Sequence, residues 1–317
     1  MRSHFLLSTF NLQLNMKPVK TLSQLADKLR SDGTVRRVAV ACPADDHTGY
    51  VVRRALTEGL ADFILVADKG RTDIALQIQA TSPEHVQVCF TETPDEACTL
   101  GVKLVRNGDA DVLMKGLVST DILLRAVLNK QSGLLPQGGV LSHLAVAEMP
   151  LYHKLIYMSD VAVIPRPTLD QYRSIIKADL AVADKLGCSQ PRIALIHCVE
   201  KVSDKFPHTL SYCQLKQDAA EGLFGDVLID GPMDMKTACD PHSGEVKGIS
   251  SAVAGDADLV IFPNIEAGNV FYKTITLFSQ AVTAAMLTGT IAPVVVPSRA
   301  DSGQSKYFSL CLALNSL

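Results

Sequence analysis

A chain of 317 residues is long for a single domain and comfortable for two, each with interior enough to fold without disulfides or metals. Its 30 basic and 33 acidic residues give a formal charge of -3, so there is no basic surplus to neutralise a nucleic-acid backbone, and nucleic acid is excluded as an expected partner. With 47% hydrophobic residues, eight cysteines but no Cys-x-x-Cys pair, and no apolar run approaching the roughly eighteen residues of a membrane span, the composition describes a soluble cytoplasmic enzyme with reduced thiols, no zinc site and no membrane partner.

In chain order, residues 1–15 contain Phe5-Leu6-Leu7-Ser8-Thr9-Phe10, a stretch too short and too polar for a secretory signal. They read as a disordered leader ahead of a better-formed start at Met16. Strand-like runs then recur at 37–41, 63–67, 86–90, 112–114, 192–198, 226–229, 259–262 and 294–296. Helical periodicity separates them at 22–29, 121–129 and 169–186, and this alternation predicts an α/β fold of parallel sheets with crossover helices. The punctuation Leu134-Leu135-Pro136-Gln137-Gly138-Gly139 marks a boundary between two α/β lobes, with 16–138 plus 288–317 forming one domain and 139–287 the other.

Several loops that follow strands carry unlike polar groups, the pattern expected of a ligand cleft. The first runs from Met114 to Thr120. Lys115 ends a strand, Gly116 permits close backbone approach, and Ser119 or Thr120 caps the next helix, which together offer an ammonium and free N–H groups to a phosphate. No Walker spacing is present, and a Lys-Gly pair after a strand also has a purely structural reading. Ser142-His143 follows the lobe boundary, where the imidazole is either a satisfied structural group or a donor or acid that reaches a ligand. Glu200-Lys201-Val202-Ser203 and Asp230-Gly231-Pro232 extend the row of strand-end loops.

The segment 258–269 is the most informative. Its β-branched run stops at Pro263 and opens through Asn264, Glu266, Gly268 and Asn269 into a helical pattern, which predicts strand, loop and helix around an anionic ligand, or else turn and cap chemistry alone. Last comes Pro297-Ser298-Arg299-Ala300-Asp301-Ser302, in which Ser302 is an expected N-cap. Arg299 beside Ser298 either binds phosphate and an oxyanion or is a surface arginine in a turn. No Gly-x-Ser-x-Gly elbow surrounds Ser298, which argues against a hydrolase nucleophile.

Taken together, Glu200-Lys201-Val202, Asp230-Gly231-Pro232, Ala254-Gly255-Asp256-Ala257-Asp258, Ile265-Glu266-Ala267-Gly268-Asn269 with Tyr272-Lys273, and Ser298-Arg299-Ala300-Asp301-Ser302 resemble the phosphate acetyltransferase and phosphate butyryltransferase family in order and spacing. The Glu-Ala-Gly-Asn form and the Ser142-His143 pair resemble the butyryl branch. The resemblance implies two α/β lobes around an interdomain cleft of isocitrate/isopropylmalate dehydrogenase-like architecture, and a homodimer. The implied reaction is reversible transfer of a short acyl group between coenzyme A and inorganic phosphate. Coenzyme A is then a substrate, and no metal or tightly bound cofactor is implied.

By the same resemblance, Ser298 and Arg299 stabilise the oxyanion and the phosphate, Gly268, Asn269 and Lys273 shape the ligand site, and Lys115 contacts phosphate. Gly116, Ser119, Thr120, Ser142, Lys201 and Ser302 complete the expected substrate-binding set. The acetyl branch carries a catalytic aspartate seven positions after its serine, where this chain has Ser305, so Asp301, Glu266 and His143 stand as substitute bases. Ile164 and Lys236 also depart from the family pattern. These departures keep two alternatives open, a phosphate acetyltransferase and a weakened paralogue that binds coenzyme A or acyl phosphate without turnover. A nicotinamide-dependent dehydrogenase of the same architecture would need an aspartate cluster and further arginines that the chain does not assemble.

Overall fold

Short runs of Val, Ile, Leu and Ala buried on both faces form the strands of the protein, whose computed structural model describes residues 18–298 and 301–317. The expected leader at 1–15 and Arg299 lie outside the described residues. Strands and helices alternate from the start: α1 (Ser23–Asp32), β1 (Arg36–Ala41), α2 (Asp46–Thr57), β2 (Ala61–Asp68), α3 (Asp73–Thr81), β3 (Val86–Thr91), α4 (Pro94–Arg106), β4 (Val112–Lys115) and α5 (Thr120–Val127). A hairpin-like pair, β5 (Ser142–Glu148) and β6 (Ile156–Ser159), follows. Then come α6 (Leu169–Lys185), β7 (Arg192–Ile196), α7 (Pro207–Ala220), β8 (Leu228–Met233), α8 (Met235–Cys239), α9 (Pro241–Val246), β9 (Leu259–Ile261), α10 (Ile265–Phe278), β10 (Val282–Thr288), β11 (Val294–Val295) and α11 (Gly303–Asn315).

The strands form a single sheet in the order β3-β2-β1-β4-β11-β10-β5-β6-β9-β7-β8. β1 to β4 and β11 are mutually parallel, as are β6, β9, β7 and β8. Between these halves, β10 runs antiparallel to both β11 and β5, and β5 runs antiparallel to β6. The α/β class is therefore as expected, but the halves share one continuous sheet, and its centre is antiparallel.

The two faces of this sheet differ. On one face a single core runs the whole length, from Val38 and Leu65 through Leu144 and Met286 to Leu195, sealed by α1, α6 and α11. The opposite face carries two separate cores. One holds Ala39, Ile64, Leu113 and Leu287; the other holds Ala145, Met158, Val260 and Ala285. Leu287 and Ala285 are two residues apart on β10, so the boundary between these cores falls across the middle of the sheet.

α11 is buried all round rather than on one face, since every residue from Lys306 to Asn315 is buried. Two of its buried side chains bond to neighbouring main chain, while the Asn315 Oδ1 is left without a partner. Ser309 accepts the Ala285 N–H at 2.9 Å, and the Asn315 amide donates to the Leu25 and Cys311 carbonyls at 3.0 and 2.8 Å.

Candidate functional site

Where the two cores separate, a cavity of about 220 Å3 opens over the middle of the sheet. Its floor follows from strand alternation. Ala285 and Leu287 project from one face of β10, and the antiparallel register sets His143 of β5 directly opposite Leu287. One wall is Thr120 and Leu124 from the first turns of α5, and another is Asn269, Tyr272 and Lys273 from α10. Val161, Ala162 and Val163 close it from the loop after β6, and Val296, Pro297, Ser298 and Asp301 from the segment joining β11 to α11. The cavity thus brings together Thr120, His143, Asn269, Lys273, Ser298 and Asp301 from the residues expected on sequence, beside an apolar surface.

α10 is held in place by chemistry legible in its first turn. Asn264 is the N-cap, accepting the Ala267 N–H at 2.9 Å. A Cβ on Gly268 would stand 2.3 Å from the Asp160 carbonyl oxygen, so only glycine lets the helix seat this closely, and the Asn269 amide then donates to the Val161 carbonyl at 2.9 Å. Gly268 serves packing rather than the cavity surface. Glu266, from the same turn, is exposed and does not line the cavity.

The remaining expected residues find other partners. Gly116 does permit close backbone approach, but the chain that approaches is Cys42, whose carbonyl oxygen would lie 2.1 Å from an added Cβ. Lys115 is buried, and its ammonium donates to the Val118 and Gly116 carbonyls at 3.1 and 3.4 Å. Ser119 occupies the N-cap position of α5 without a side-chain capping bond. Ser142 shares a 2.7 Å hydrogen bond with Thr288 across β5 and β10, and Lys201 is exposed in the loop after β7. Ser302 is the expected N-cap, accepting the Ser305 N–H at 3.1 Å.

The electrostatics of the cavity are unequal. Burial pushes the Asp301 carboxyl above the ordinary carboxylate value, against the pull of the Ser298 N–H, which it accepts at 2.7 Å, and of Lys306, Lys273 and Lys115. Burial also pushes the His143 imidazole down to about 4, so the ring is neutral near pH 7. Asp160 is buried behind it and accepts the N–H groups of His143, Ala162 and Val163 at 3.0, 2.7 and 2.8 Å, which shapes the loop that closes the cavity. Among the described residues, no group of three or more His, Cys, Asp and Glu side chains is placed to hold a metal ion, and no helix is long and apolar enough to cross a membrane.

Sequence reasoning missed Lys306, Asp160 and the apolar wall. Lys306 carried a signal, since it shares a helix face with Leu310 and Ala313, and a lysine on an apolar stripe requires a partner. Its ammonium lies 3.8 Å from Asp45. Asp160 was hidden because the strand before it, β6, was not recognised.

Comparison with known proteins places this arrangement. A family model described as phosphate acetyl/butaryl transferase matches residues 90–314. The chain is 36% identical to a phosphate butyryltransferase of Clostridium acetobutylicum over 93% of its own length and 97% of the relative's. It is 32% identical to a phosphate acetyltransferase of Thermotoga maritima, over 92% and 98% of the two chains. Among solved structures, a branched-chain phosphotransacylase from Enterococcus faecalis V583 superposes with a TM-score of 0.76 at 28% identity, covering 89% of this chain and 99% of that one.

Proposed function

Because the chain belongs to the phosphate acetyl/butaryl transferase family, we propose that it catalyses reversible transfer of a short acyl group between coenzyme A and inorganic phosphate, with a four-carbon straight or branched chain preferred. The observation that carries this reading is the cavity over β10. It sets a partly buried carboxyl, a neutral imidazole, a lysine and a serine around one space whose remaining surface is mostly aliphatic, with Thr120, Asn269 and Tyr272 beside it. An acyl phosphate has the same division, a dianionic end and an apolar tail. Leu124, Val161, Val163, Ala285 and Leu287 would receive the tail, while Ser298 and Lys273 would hold the phosphate, a role the family resemblance extends to Arg299.

In this reaction the acyl acceptor, and hence the attacking sulfur, is the thiol of coenzyme A. A thiol of ordinary pKa near about 8.5 must lose its proton to attack. Asp301 would accept it, since burial makes its carboxylate more basic than usual, whereas Glu266 stands outside the cavity and His143 is a weak base. The thiolate adds to the acyl carbonyl, the tetrahedral intermediate collapses, and the carbon–oxygen bond to phosphate breaks. Running the same steps backwards returns acyl phosphate.

We assign residues 16–138 with 288–317 to one lobe and 139–287 to the other, a division the separate cores on the cavity face follow except at Leu141 and Leu287, which pack with the first. The same reading makes the enzyme a cytoplasmic homodimer. A patch at the end of α10 supports the second copy. Leu277, Phe278 and Leu151 are exposed apolar side chains around a hollow of about 560 Å3 whose lining, Phe278 and Leu151 included, also holds Lys236 and Asp240, and burial against a twofold-related copy would cover this patch.

The test is phosphate-dependent release of free coenzyme A from acetyl-, propionyl-, butyryl- and isobutyryl-CoA, followed with a thiol reagent. Release that peaks at the four-carbon chains is expected. Folded protein that binds coenzyme A and releases none would make it a binding paralogue instead.

A further inference from the structure

We propose that His143 is the hydrogen-bond donor to the acyl carbonyl oxygen, presenting Nε2–H to the cavity while its Nδ1 is sealed, unprotonated, in the protein interior. This rests on the acyltransferase reading and adds the group that holds the oxyanion. Strand alternation and the pairing with Leu287 turn the imidazole onto the cavity floor. Its main chain is held on both sides. Asp160 accepts the N–H at 3.0 Å, and the carbonyl receives the Ser159 hydroxyl and the Val161 N–H, each at 3.4 Å.

The ring itself is not satisfied in the same way. Nδ1 is fully buried and has no hydrogen-bond partner, so Nε2 is the nitrogen left open to the cavity. A neutral imidazole has one N–H and one lone pair to distribute. Orphaned buried N–H groups are rarer than under-satisfied buried acceptors, which puts the proton on Nε2 and the bare lone pair inside. The charged groups around the ring are Asp160 behind its backbone, Lys273 on α10 and Asp301 on the segment before α11. None makes a hydrogen bond that fixes the other tautomer. Burial keeps the ring neutral at working pH.

A neutral imidazole that polarises a carbonyl is a known catalytic device. As the thiolate forms the carbon–sulfur bond, the carbonyl electron pair moves onto oxygen, which Nε2–H stabilises without giving up its proton. When the carbonyl re-forms, phosphate leaves with the electron pair of the broken carbon–oxygen bond. His143 therefore acts as an electrophile rather than a base, and the two roles separate experimentally.

The experiment is nitrogen NMR of the full chain labelled with 15N-histidine, with His143→Gln used to assign the resonance, beside kinetics of His143→Gln and His143→Leu. The expected spectrum shows a neutral Nε2–H ring unchanged between about pH 5.5 and 9, where an ordinary histidine titrates near 6.5. The leucine variant should lose about 100-fold in kcat with little change in KM for phosphate, and glutamine, which keeps an amide donor, should recover at least tenfold of that loss. A ring that titrates near neutrality, or that carries its proton on Nδ1, overturns the proposal even if the leucine variant fails to fold. Equal losses in the two variants overturn it as well. A wild-type chain inert towards every acyl-CoA overturns the underlying acyltransferase reading, whereas a titrating ring in an active enzyme overturns only the donor.

Discussion

Asp301 occupies a position where a carboxylate is costly to keep charged, yet three lysines pull it towards ionisation. The balance leaves its pKa above the ordinary value, which suits a base facing a thiol. Below that raised pKa the group is protonated and cannot accept, so the acid limb of the kcat/KM profile should lie above the usual carboxylate range of about 4. Asp301→Asn should lower kcat/KM by about 100-fold or more and remove that limb, as a pH-rate series would show. An unchanged limb would assign the proton transfer to another group. Ser305, which replaces the family's aspartate, spends its backbone N–H on the Ser302 cap and presents no carboxylate.

Among the elements, α6 carries Asp179 into the core beneath β6, fully buried with both carboxyl oxygens unpartnered. Burial, with Asp160 nearby, pushes its pKa well up. A carboxyl raised in the folded state contributes stability that is complete below its unfolded pKa of about 4 and is lost as pH rises through the folded value. Asp179→Asn removes that loss, so the difference in Tm between variant and wild type should become more positive from pH 5 to pH 8. A difference independent of pH would contradict the buried, protonated state. The elements also show what the sequence made legible. Strands rich in Val and Ile, such as β1, β2 and β9, stand where their β-branched runs predict, and the strand, loop and helix at 258–269 form as expected. β5 and β10 escaped notice because Leu144-Ala145-Val146-Ala147 and Thr283-Ala284-Ala285-Met286-Leu287 are built largely from Ala, Leu and Met, which favour helix. Their strand state is imposed by pairing with each other and with β6 and β11. Six of the candidate residues, Thr120, His143, Asn269, Lys273, Ser298 and Asp301, were legible from loop chemistry and family resemblance. The apolar wall was not, because it is assembled from segments far apart in sequence: α5, the loop after β6, β10 and the chain after β11.

For the whole molecule, one continuous sheet with two separate cores on a single face gives a rigid floor beneath a divided roof, and the cavity sits at the division. The patch at Leu277, Phe278 and Leu151 lies elsewhere, and Leu151 is fully exposed in the single chain. Burying it against a second copy predicts a dimer that Phe278→Asp converts to monomer in sedimentation velocity, while a wild-type monomer at micromolar concentration would contradict it. The central claim is that the cavity over β10 is where acyl transfer occurs. The measurement that tests it most directly is the ratio of kcat/KM for butyryl-CoA to that for acetyl-CoA in wild type and in Ala285→Val. Two added methyl groups on the cavity floor should lower the ratio by about 10-fold or more, since one methylene is worth roughly 10- to 200-fold, with acetyl transfer largely kept. An unchanged ratio in a folded variant would place the acyl chain somewhere else.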